Sequence, residues 1–338
     1  GNTILGGMLT STNRFNDEDH LDYLHSSALS GGLDFQQYLR DRDYIISFSA
    51  FMSQVRGSEE ALIRTQRSPV HNFQRPDADY LVLDSTRTSL SGYGGNLQMG
   101  KQGGRFNFML FLSANSPGLE INDLGFLTST DEIFQIFWMG YRFNEPFGIF
   151  RRASINMNQW NIWDFGGNHQ NIGVNINGHA EFINLWHSGF YLSTDTETLS
   201  NSTLRGGPSI LLPGDFSTSR FLSTSSRKKV EAELDLDFQH GYEESGKRYS
   251  IEFGLGYKPI SNLDLSISPE FSHRNRELQY VDQQHFDNDD RYIFGAIDQK
   301  TLSMSIRLDL ILSPELTLQF WGQPFIATGS YRDFKYIT

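Results

Sequence analysis

The chain has 338 residues and a formal net charge of −12, with 40 Asp and Glu against 28 Lys and Arg. Because neutralising phosphates requires clustered Lys and Arg, this balance excludes a general nucleic-acid binder. The absence of cysteine excludes disulfides, thiolate metal ligands and a cysteine nucleophile. Aromatic residues make up 14% of the chain although its mean hydropathy is −0.43, a mixture typical of strands with one apolar and one polar face.

Membrane insertion through helices is not expected, because no stretch approaches the roughly 20 consecutive apolar residues that a transmembrane helix needs. The first 20 residues also lack the charged start and apolar core of a signal peptide. A membrane protein with this sequence should therefore cross with strands. Since export requires a signal peptide, we expect the natural N-terminus to lie upstream.

The strongest pattern is strict two-residue alternation over stretches of about 9 to 12 residues, the length of a strand that crosses a bilayer. Residues 230–239 alternate apolar side chains with four carboxylates and a glutamine, and residues 172–182 and 302–312 behave similarly. The polar positions in these segments are predicted to line a lumen: Asn175, Asn177, His179, Glu181, Glu231, Glu233, Asp235, Asp237, Arg307 and Asp309.

Soluble sandwiches also alternate, so loop lengths must distinguish the two fold classes. About fifteen strands can be traced, the first near 3–14 and the last near 315–330. Short turns alternate with longer loops, as in outer-membrane barrels. The longer loops fall near 15–26, 57–85, 116–130, 200–215 and 278–299.

We therefore predict an all-β fold, a transmembrane, antiparallel, up-and-down outer-membrane β-barrel, with its long loops outside the cell. Residues 1–338 are predicted to form a single barrel domain. Because single-chain bacterial barrels usually have an even number of strands, we expect 16 or more strands in the whole barrel and an incomplete segment at both ends.

Two loops have unusual content. Residues 58–67 are predicted to form a short helix that Ser58 caps and that ends before Pro69. Loop 116–130 carries more apolar side chains than a freely solvated loop would, namely Leu119, Ile121, Leu124, Phe126 and Leu127.

Candidate chemical sites have simpler explanations. The acidic residues 287–290 could offer oxygen ligands to calcium, but the glycine and spacing of an EF-hand are missing, and a solvated loop explains them. Glu231 and Glu233 lie about 7 Å apart on one strand face, as an acid–base pair could, but carboxylates that line a watery lumen explain the same spacing without catalysis. No nucleophile elbow occurs. We therefore predict no enzyme, no cofactor and no metal.

Five irregular motifs occur in order: Gly7-Met8-Leu9-Thr10, Gln74-Arg75-Pro76-Asp77, Ser116-Pro117-Gly118 with Asn122-Asp123-Leu124-Gly125-Phe126, Leu204-Arg205-Gly206-Gly207-Pro208, and Gln323-Pro324-Phe325. Their order and spacing resemble the C-terminal barrel of the DUF5916 family, a family of unknown function, over nearly the whole chain. The resemblance implies a Gram-negative outer-membrane protein, often from Bacteroidota, with an upstream domain resembling carbohydrate-binding family 9 and further strands downstream. It supplies no catalytic residues.

Two functional hypotheses remain open. The first is a pore or transporter for polar solutes or glycans, which the polar strand faces favour. The second is a structural barrel, plugged by inward-folded loops such as 57–85 or 116–130, that anchors a partner or forms a subunit of an outer-membrane assembly. The expected partners are outer-membrane lipid and lipopolysaccharide, with glycans and other outer-membrane or surface proteins as candidates, and no nucleic acid.

Overall fold

The computed structural model describes residues 1–15, 18–286 and 289–337. Its residues group into two compact units. Unit 1 comprises Gly1–Gly140, Asn158–Gly173 and Glu197–Leu212. Unit 2 comprises Tyr141–Met157, Val174–Thr196 and Pro213–Thr338. The single domain over residues 1–338 stays a prediction.

Strands dominate the secondary structure. The strands are β1 (Thr3–Asn13), β2 (His25–Leu39), β3 (Tyr44–Gly57), β4 (Ser89–Lys101), β5 (Phe106–Asn115), β6 (Glu132–Phe143), β7 (Phe150–Trp163), β8 (His169–Phe182), β9 (His187–Asp195), β10 (Thr198–Ser200), β11 (Ile210–Leu212), β12 (Asp215–Ser223), β13 (Val230–Gly241), β14 (Gly246–Ile260), β15 (Leu263–Phe286), β16 (Asp289–Ser313), β17 (Leu316–Gly322) and β18 (Phe325–Ile337). The single α-helix of the described residues is α1 (Glu59–Arg67), and short 3-10 turns lie at Asp19–Leu21 and Tyr242–Glu244.

One large sheet contains nearly all of these strands in chain order. Strands β1 to β9 and β12 to β17 follow one another as hydrogen-bonded neighbours, while β10 and β11 form a separate hairpin. Strand β18 pairs with β16, beyond the part of β16 that pairs with β17. Neighbours in chain order define an up-and-down topology. The predicted all-β class with about fifteen strands is confirmed.

The strands of unit 1 have two distinct faces. On β3, Ile46, Phe48 and Met52 are exposed apolar side chains on one face. The opposite face of the same strand carries Ser53 and Val55, both buried. A contiguous exposed apolar surface is typical of a wall that faces lipid. We call the two sides the apolar face and the polar face.

Unit 2 sorts its side chains in the same way, and the strand register shows how. Leu236 of β13 lies opposite Ile251 of β14, and both are exposed on the apolar face. On the other face, Asp235 lies opposite Glu252. Because side chains alternate along a strand, this register keeps Leu236 and Ile251 together on one face and Asp235 and Glu252 together on the other.

Helix α1 has the boundaries that the sequence predicts. The Ser58 side chain accepts a hydrogen bond from the Ala61 amide at 3.0 Å, which satisfies one free N–H of the first turn. Acidic residues occupy the first turn and basic residues the last, so the charges complement the helix dipole. The helix ends at Arg67, before Pro69, and the predicted helix is confirmed.

The predicted long loop at 278–299 is wrong. Strand β15 continues to Phe286 and β16 begins at Asp289, so this region is paired strand. Register shifts between Arg276 and Gln279 and again between Tyr280 and Asp282 interrupt the alternation of the side chains. That interruption hides the strand from a two-residue pattern. Of the acidic residues 287–290, Asp287 and Asn288 lie outside the described residues.

Two shorter elements also differ from the predictions. The hairpin of β10 and β11 lies partly in the predicted loop 200–215, and its three-residue strands are too short to show alternation. The last predicted strand, 315–330, is divided into β17 and β18 around Pro324. Proline has no N–H to donate, which accounts for the division. In the described part of the chain, no helix has the length and apolar character needed to cross a membrane.

Candidate functional site: a packed cap and a polar sheet face

Four connections of unit 1 form a layer that we call the cap: residues 58–88, 116–131, 164–168 and 198–212. A single apolar cluster joins the cap to the polar face of β2–β4. The strands contribute Ala28, Val55 and Leu90, and the cap contributes Ala61, Leu62 and Phe73. Leu124, from a different connection, packs on the same cluster. Val55 and Leu62 are 0% exposed, so helix α1 lies directly on the sheet.

The connection after β5 lies flat on the neighbouring strands because β4 has a glycine beneath it. A side chain at Gly92 would overlap the backbone of Leu119, so only glycine allows this approach. The amide of Glu120 donates a hydrogen bond of 2.9 Å to the Ser53 hydroxyl on β3. The Ser116 hydroxyl accepts one of 2.8 Å from an amide of β4. Loop 116–130 is therefore attached to the polar face at several points.

A buried hydrogen-bonded pair, His71 and Glu120, joins two connections of the cap. His71 is 0% exposed at its side chain, and its Nε2 lies 2.8 Å from Oε2 of Glu120, while its Nδ1 lies 2.8 Å from the Pro117 carbonyl. Nδ1 donates to the Pro117 carbonyl, and Nε2 shares a hydrogen bond with the Glu120 carboxyl. Burial opposes the ionisation of Glu120, but hydrogen bonds from His71 and the Asn122 amide outweigh it and lower the pKa of this carboxyl.

A second network ties the first strands to the same loop. Asp123 accepts hydrogen bonds from His25 Nδ1 at 2.6 Å and from Arg14 at 2.5 Å. The other ring nitrogen of His25 lies 2.7 Å from the Thr65 hydroxyl, which itself donates to the Ala61 carbonyl on α1. Burial raises the pKa of Asp123, but the hydrogen bonds from His25 and Arg14 outweigh it, so the net shift is downward.

A third network lies around Asp131, just before β6. Arg75 and the Tyr80 hydroxyl both donate to Asp131 Oδ2, at 2.5 and 2.6 Å. Oδ1 of the same carboxylate accepts the Phe165 amide at 3.0 Å. Burial raises the pKa of the Tyr80 phenol, and its hydrogen bond to Asp131 raises it further. Asp131 thus connects three parts of the cap.

The cap residues that form these networks were not singled out from the sequence, although a signal for them exists. Three of the five irregular motifs lie in the cap, and they contribute Arg75, Asp123 and Leu124 to the contacts above. These residues follow no sequence period, so the alternation of apolar and polar side chains does not reveal them. Among the described residues, no group of three or more His, Cys, Asp or Glu side chains is placed to hold a metal ion.

The residues predicted to line a lumen all lie in unit 2. On β8, Asn177 accepts a hydrogen bond of 2.9 Å from Asn156 and donates one of 3.0 Å to Asn175. The ring of His179 lies 6.0 Å from that of Phe221. Glu181 accepts hydrogen bonds from both Arg151 and Arg152.

On β13, Glu231, Glu233, Asp235 and Asp237 share the polar face, where Asp237 accepts hydrogen bonds from the hydroxyls of Ser219 at 2.5 Å and Ser250 at 3.0 Å. On β16, Arg307 and Asp309 lie in register with Ser266 and Asp264 of β15. The structure thus brings the β13 carboxylates together on one face. Their lining of a lumen stays a prediction.

A model of the family described as Domain of unknown function (DUF5916) matches residues 32–338. The chain belongs to the DUF5916 family. No curated protein matches this DUF5916 chain. Among solved structures, it is similar to the siderophore receptor PirA from Acinetobacter baumannii, with a TM-score of 0.50 and 9% sequence identity over 96% of this chain. The match covers 59% of the receptor chain. This likeness shows the fold alone: a large antiparallel sheet similar to that of an outer-membrane barrel, as predicted.

Proposed function

We propose that this DUF5916 chain is an outer-membrane barrel closed by its own surface loops, and that it serves as a structural anchor or subunit of an outer-membrane assembly. One observation carries the proposal. The cap is packed onto the polar face of β2–β4 through a shared apolar core, with Leu62 and Val55 fully buried. Loops of an open pore would leave that face to water.

The strength of the attachment supports closure. The side chains of Arg75 and Asp131 are 2% and 3% exposed, so each ion would be left buried without its partner if the cap rearranged. Removing one partner of such a pair costs about 3–5 kcal/mol. The pair of His71 and Glu120 is equally buried. Two buried pairs of this kind support a firmly attached cap and argue against a mobile lid.

Placement in the outer membrane is supported by the exposed apolar faces of both units and by the receptor-like fold. Lipid and lipopolysaccharide would then cover those faces, as they do for outer-membrane barrels in general. The proposal includes no catalytic step.

A protein partner is supported by the exposed surface of the cap. Phe126 is 84% exposed in a loop whose Leu119 is fully buried, and Val82 and Leu211 in other cap connections are also exposed. Large apolar side chains left in water on a packed layer are typical of an interaction surface. Phe126 is the residue we expect to anchor such a partner.

The second candidate is passage of a polar solute, a glycan among them. It is favoured by the polar face of unit 2, where the β13 carboxylates pair in register with Gly256, Gly254, Glu252 and Ser250. A hydrated wall of this kind suits a polar solute, whereas a structural barrel has no need of it.

Planar-bilayer conductance separates the two candidates. The wild-type chain should be silent or nearly so, and Arg75→Ala, which leaves Asp131 unpaired in the cap, should produce open-channel events. The matched control is Arg332→Ala, because this arginine pairs with Glu277 at the surface. Steady wild-type conductance with solute flux would refute closure and favour transport.

The anchor role has its own test. Native purification should recover a stoichiometric protein partner, and Phe126→Asp should release it. Phe15→Asp is the control, because Phe15 is equally exposed but lies outside the cap. A solitary wild-type barrel would refute the subunit role.

A further inference from the structure

The polar face of β13–β16 sorts its charges into rows that cross the four strands. In register, the arginine row consists of Gln239, Arg248, Arg274 and Gln299. The next row on the same face, the hydroxyl row, consists of Asp237, Ser250, Ser272 and Thr301. The acidic row follows, with Asp235, Glu252, Glu270 and Ser303. Each row is two residues from the next, roughly 7 Å along the strands.

The arginine row holds like charges side by side. Arg248 and Arg274 are direct cross-strand neighbours, a position where Cβ atoms lie about 5 Å apart and like charges are destabilising. Arg276 lies two residues beyond Arg274 on the same face and interacts electrostatically with it. Three guanidinium groups therefore converge on one part of the sheet.

In the described part of the chain, no carboxylate pairs with these arginines. Within residues 1–15, 18–286 and 289–337, Arg248, Arg274 and Arg276 make no ion pair and no side-chain hydrogen bond. Their lateral neighbours in the row are the neutral Gln239 and Gln299. The hydroxyl row separates them from the acidic row by about 14 Å of strand, too far for direct contact.

The carboxylate of Asp237, one row away on the neighbouring strand, is already engaged. Asp237 in the hydroxyl row accepts hydrogen bonds from Ser219 and Ser250, one at each oxygen. Arg274 is half-buried, so water alone compensates its charge poorly. The arginine cluster therefore has more hydrogen-bond donors than nearby acceptors.

We propose that Arg248, Arg274 and Arg276 form a binding site for a water-soluble oxyanion of the phosphate or sulfate class. Guanidinium groups donate pairs of parallel hydrogen bonds that match the oxygens of such anions. A lipid headgroup is not the source, because the same strands present Phe238, Ile251 and Phe271 on the opposite, apolar face. The anion reaches the site from the aqueous side of the sheet.

The proposal goes beyond closure by the cap and does not depend on it. A closed barrel can hold an anion, and a conducting one can carry it. Binding measured on the solubilised chain therefore tests the arginine site, while conductance tests closure, and either can fail alone.

The test uses the full chain in detergent and pyrophosphate as the probe in isothermal titration calorimetry. The wild type should bind, and binding should weaken as sodium chloride is raised. Arg274→Gln and Arg248→Gln should each weaken it about ten- to hundredfold, the value of a hydrogen-bonded charged group. Arg220→Gln should bind as the wild type does, because Arg220 lies on the apolar face over the ring of Phe190.

The melting temperatures of the same variants test for misfolding. Removing one of three repelling charges should leave the melting temperature unchanged or raise it. The proposal is overturned if the wild type shows no pyrophosphate binding, or if Arg220→Gln weakens binding as much as Arg274→Gln. A clear fall in the melting temperature of Arg274→Gln would also overturn it, since that arginine would then have a structural partner.

Discussion

Asp131→Asn removes one charge from the most enclosed network of the cap while nearly preserving shape. The single oxygen of Asn can still accept the Phe165 amide, while its NH2 group takes the place of Oδ2, so the variant removes both the charge and the acceptor that faces Arg75 and Tyr80. Arg75, whose side chain is 2% exposed, would then carry an unpaired buried charge. Breaking a buried pair in this way costs about 3–5 kcal/mol. Because each 1.4 kcal/mol is tenfold, cap opening should become roughly a hundred to several thousand times more frequent.

Hydrogen–deuterium exchange of the detergent-solubilised protein measures that opening directly, peptide by peptide. Amides in residues 70–80 should lose protection in Asp131→Asn, while those of β13 and β14 keep theirs. The control is Glu277→Gln, whose partner Arg332 is 49% exposed at its side chain, and it should leave the exchange of residues 70–80 unchanged. Exchange within about threefold of wild type in Asp131→Asn would show that this network does not hold the cap.

Three further predictions concern the same layer. Leu62→Ala creates a cavity beneath α1 and should destabilise the cap by about 2–5 kcal/mol, seen as faster tryptic cleavage there while unit 2 stays intact. Gly92→Ala should destabilise the cap by about 1–3 kcal/mol in the same assay, because the added methyl group would overlap the backbone of the neighbouring loop. The control is Gly256→Ala on β14, whose methyl group makes only an ordinary contact and should have no effect. Acidification should open the cap, because the folded protein lowers the pKa values of Glu120 and Asp123. The ionised carboxylates stabilise the cap fully above their ordinary pKa values of 4.5 and 3.8. That stabilisation is lost as pH falls through the pKa values of the folded protein. Bilayer conductance should therefore rise between pH 7 and pH 3, and an unchanged trace would contradict this linkage.

The strand-forming segments could be predicted because their pattern is local. Residues 230–239 alternate without interruption, and the register of β13 with β14 follows from placing each apolar side chain opposite another. The polar face of unit 2 was predictable for the same reason. Where bulges interrupt the alternation, as near Tyr280, the local pattern failed and a strand was predicted as a loop.

Apart from helix α1, the cap could be predicted only as loops. His71 and Glu120 are 49 residues apart, and Arg14 and Asp123 are 109 apart, with no period that links either pair. Charged residues in a long connection are ordinarily solvated, so burial of these pairs follows only from tertiary packing. The apolar content of loop 116–130 was the one sequence signal of burial, and Leu119 shows that it was informative.

Gly92 illustrates the same limit from the backbone side. Within a strand, a glycine indicates either a bend or the close approach of another backbone, and sequence does not distinguish the two. The structure shows close approach, because the backbone of Leu119 occupies the place of a side chain. The arginine row is a comparable case, since Arg248 and Arg274 become neighbours only through the register of β14 with β15.

Cysteine accessibility tests most directly whether the cap covers the polar face of unit 1 in a membrane. These 338 residues contain no cysteine, so Ser53→Cys and Ser47→Cys each introduce a single thiol on that face of β3. Ser53 is buried beneath Glu120, whereas Ser47 lies six residues away and outside the cap contacts. In proteoliposomes, a water-soluble maleimide should label position 47 and leave position 53 unmodified until the cap is opened with Asp131→Asn. Equal labelling of both positions in the otherwise wild-type chain would contradict closure by the cap.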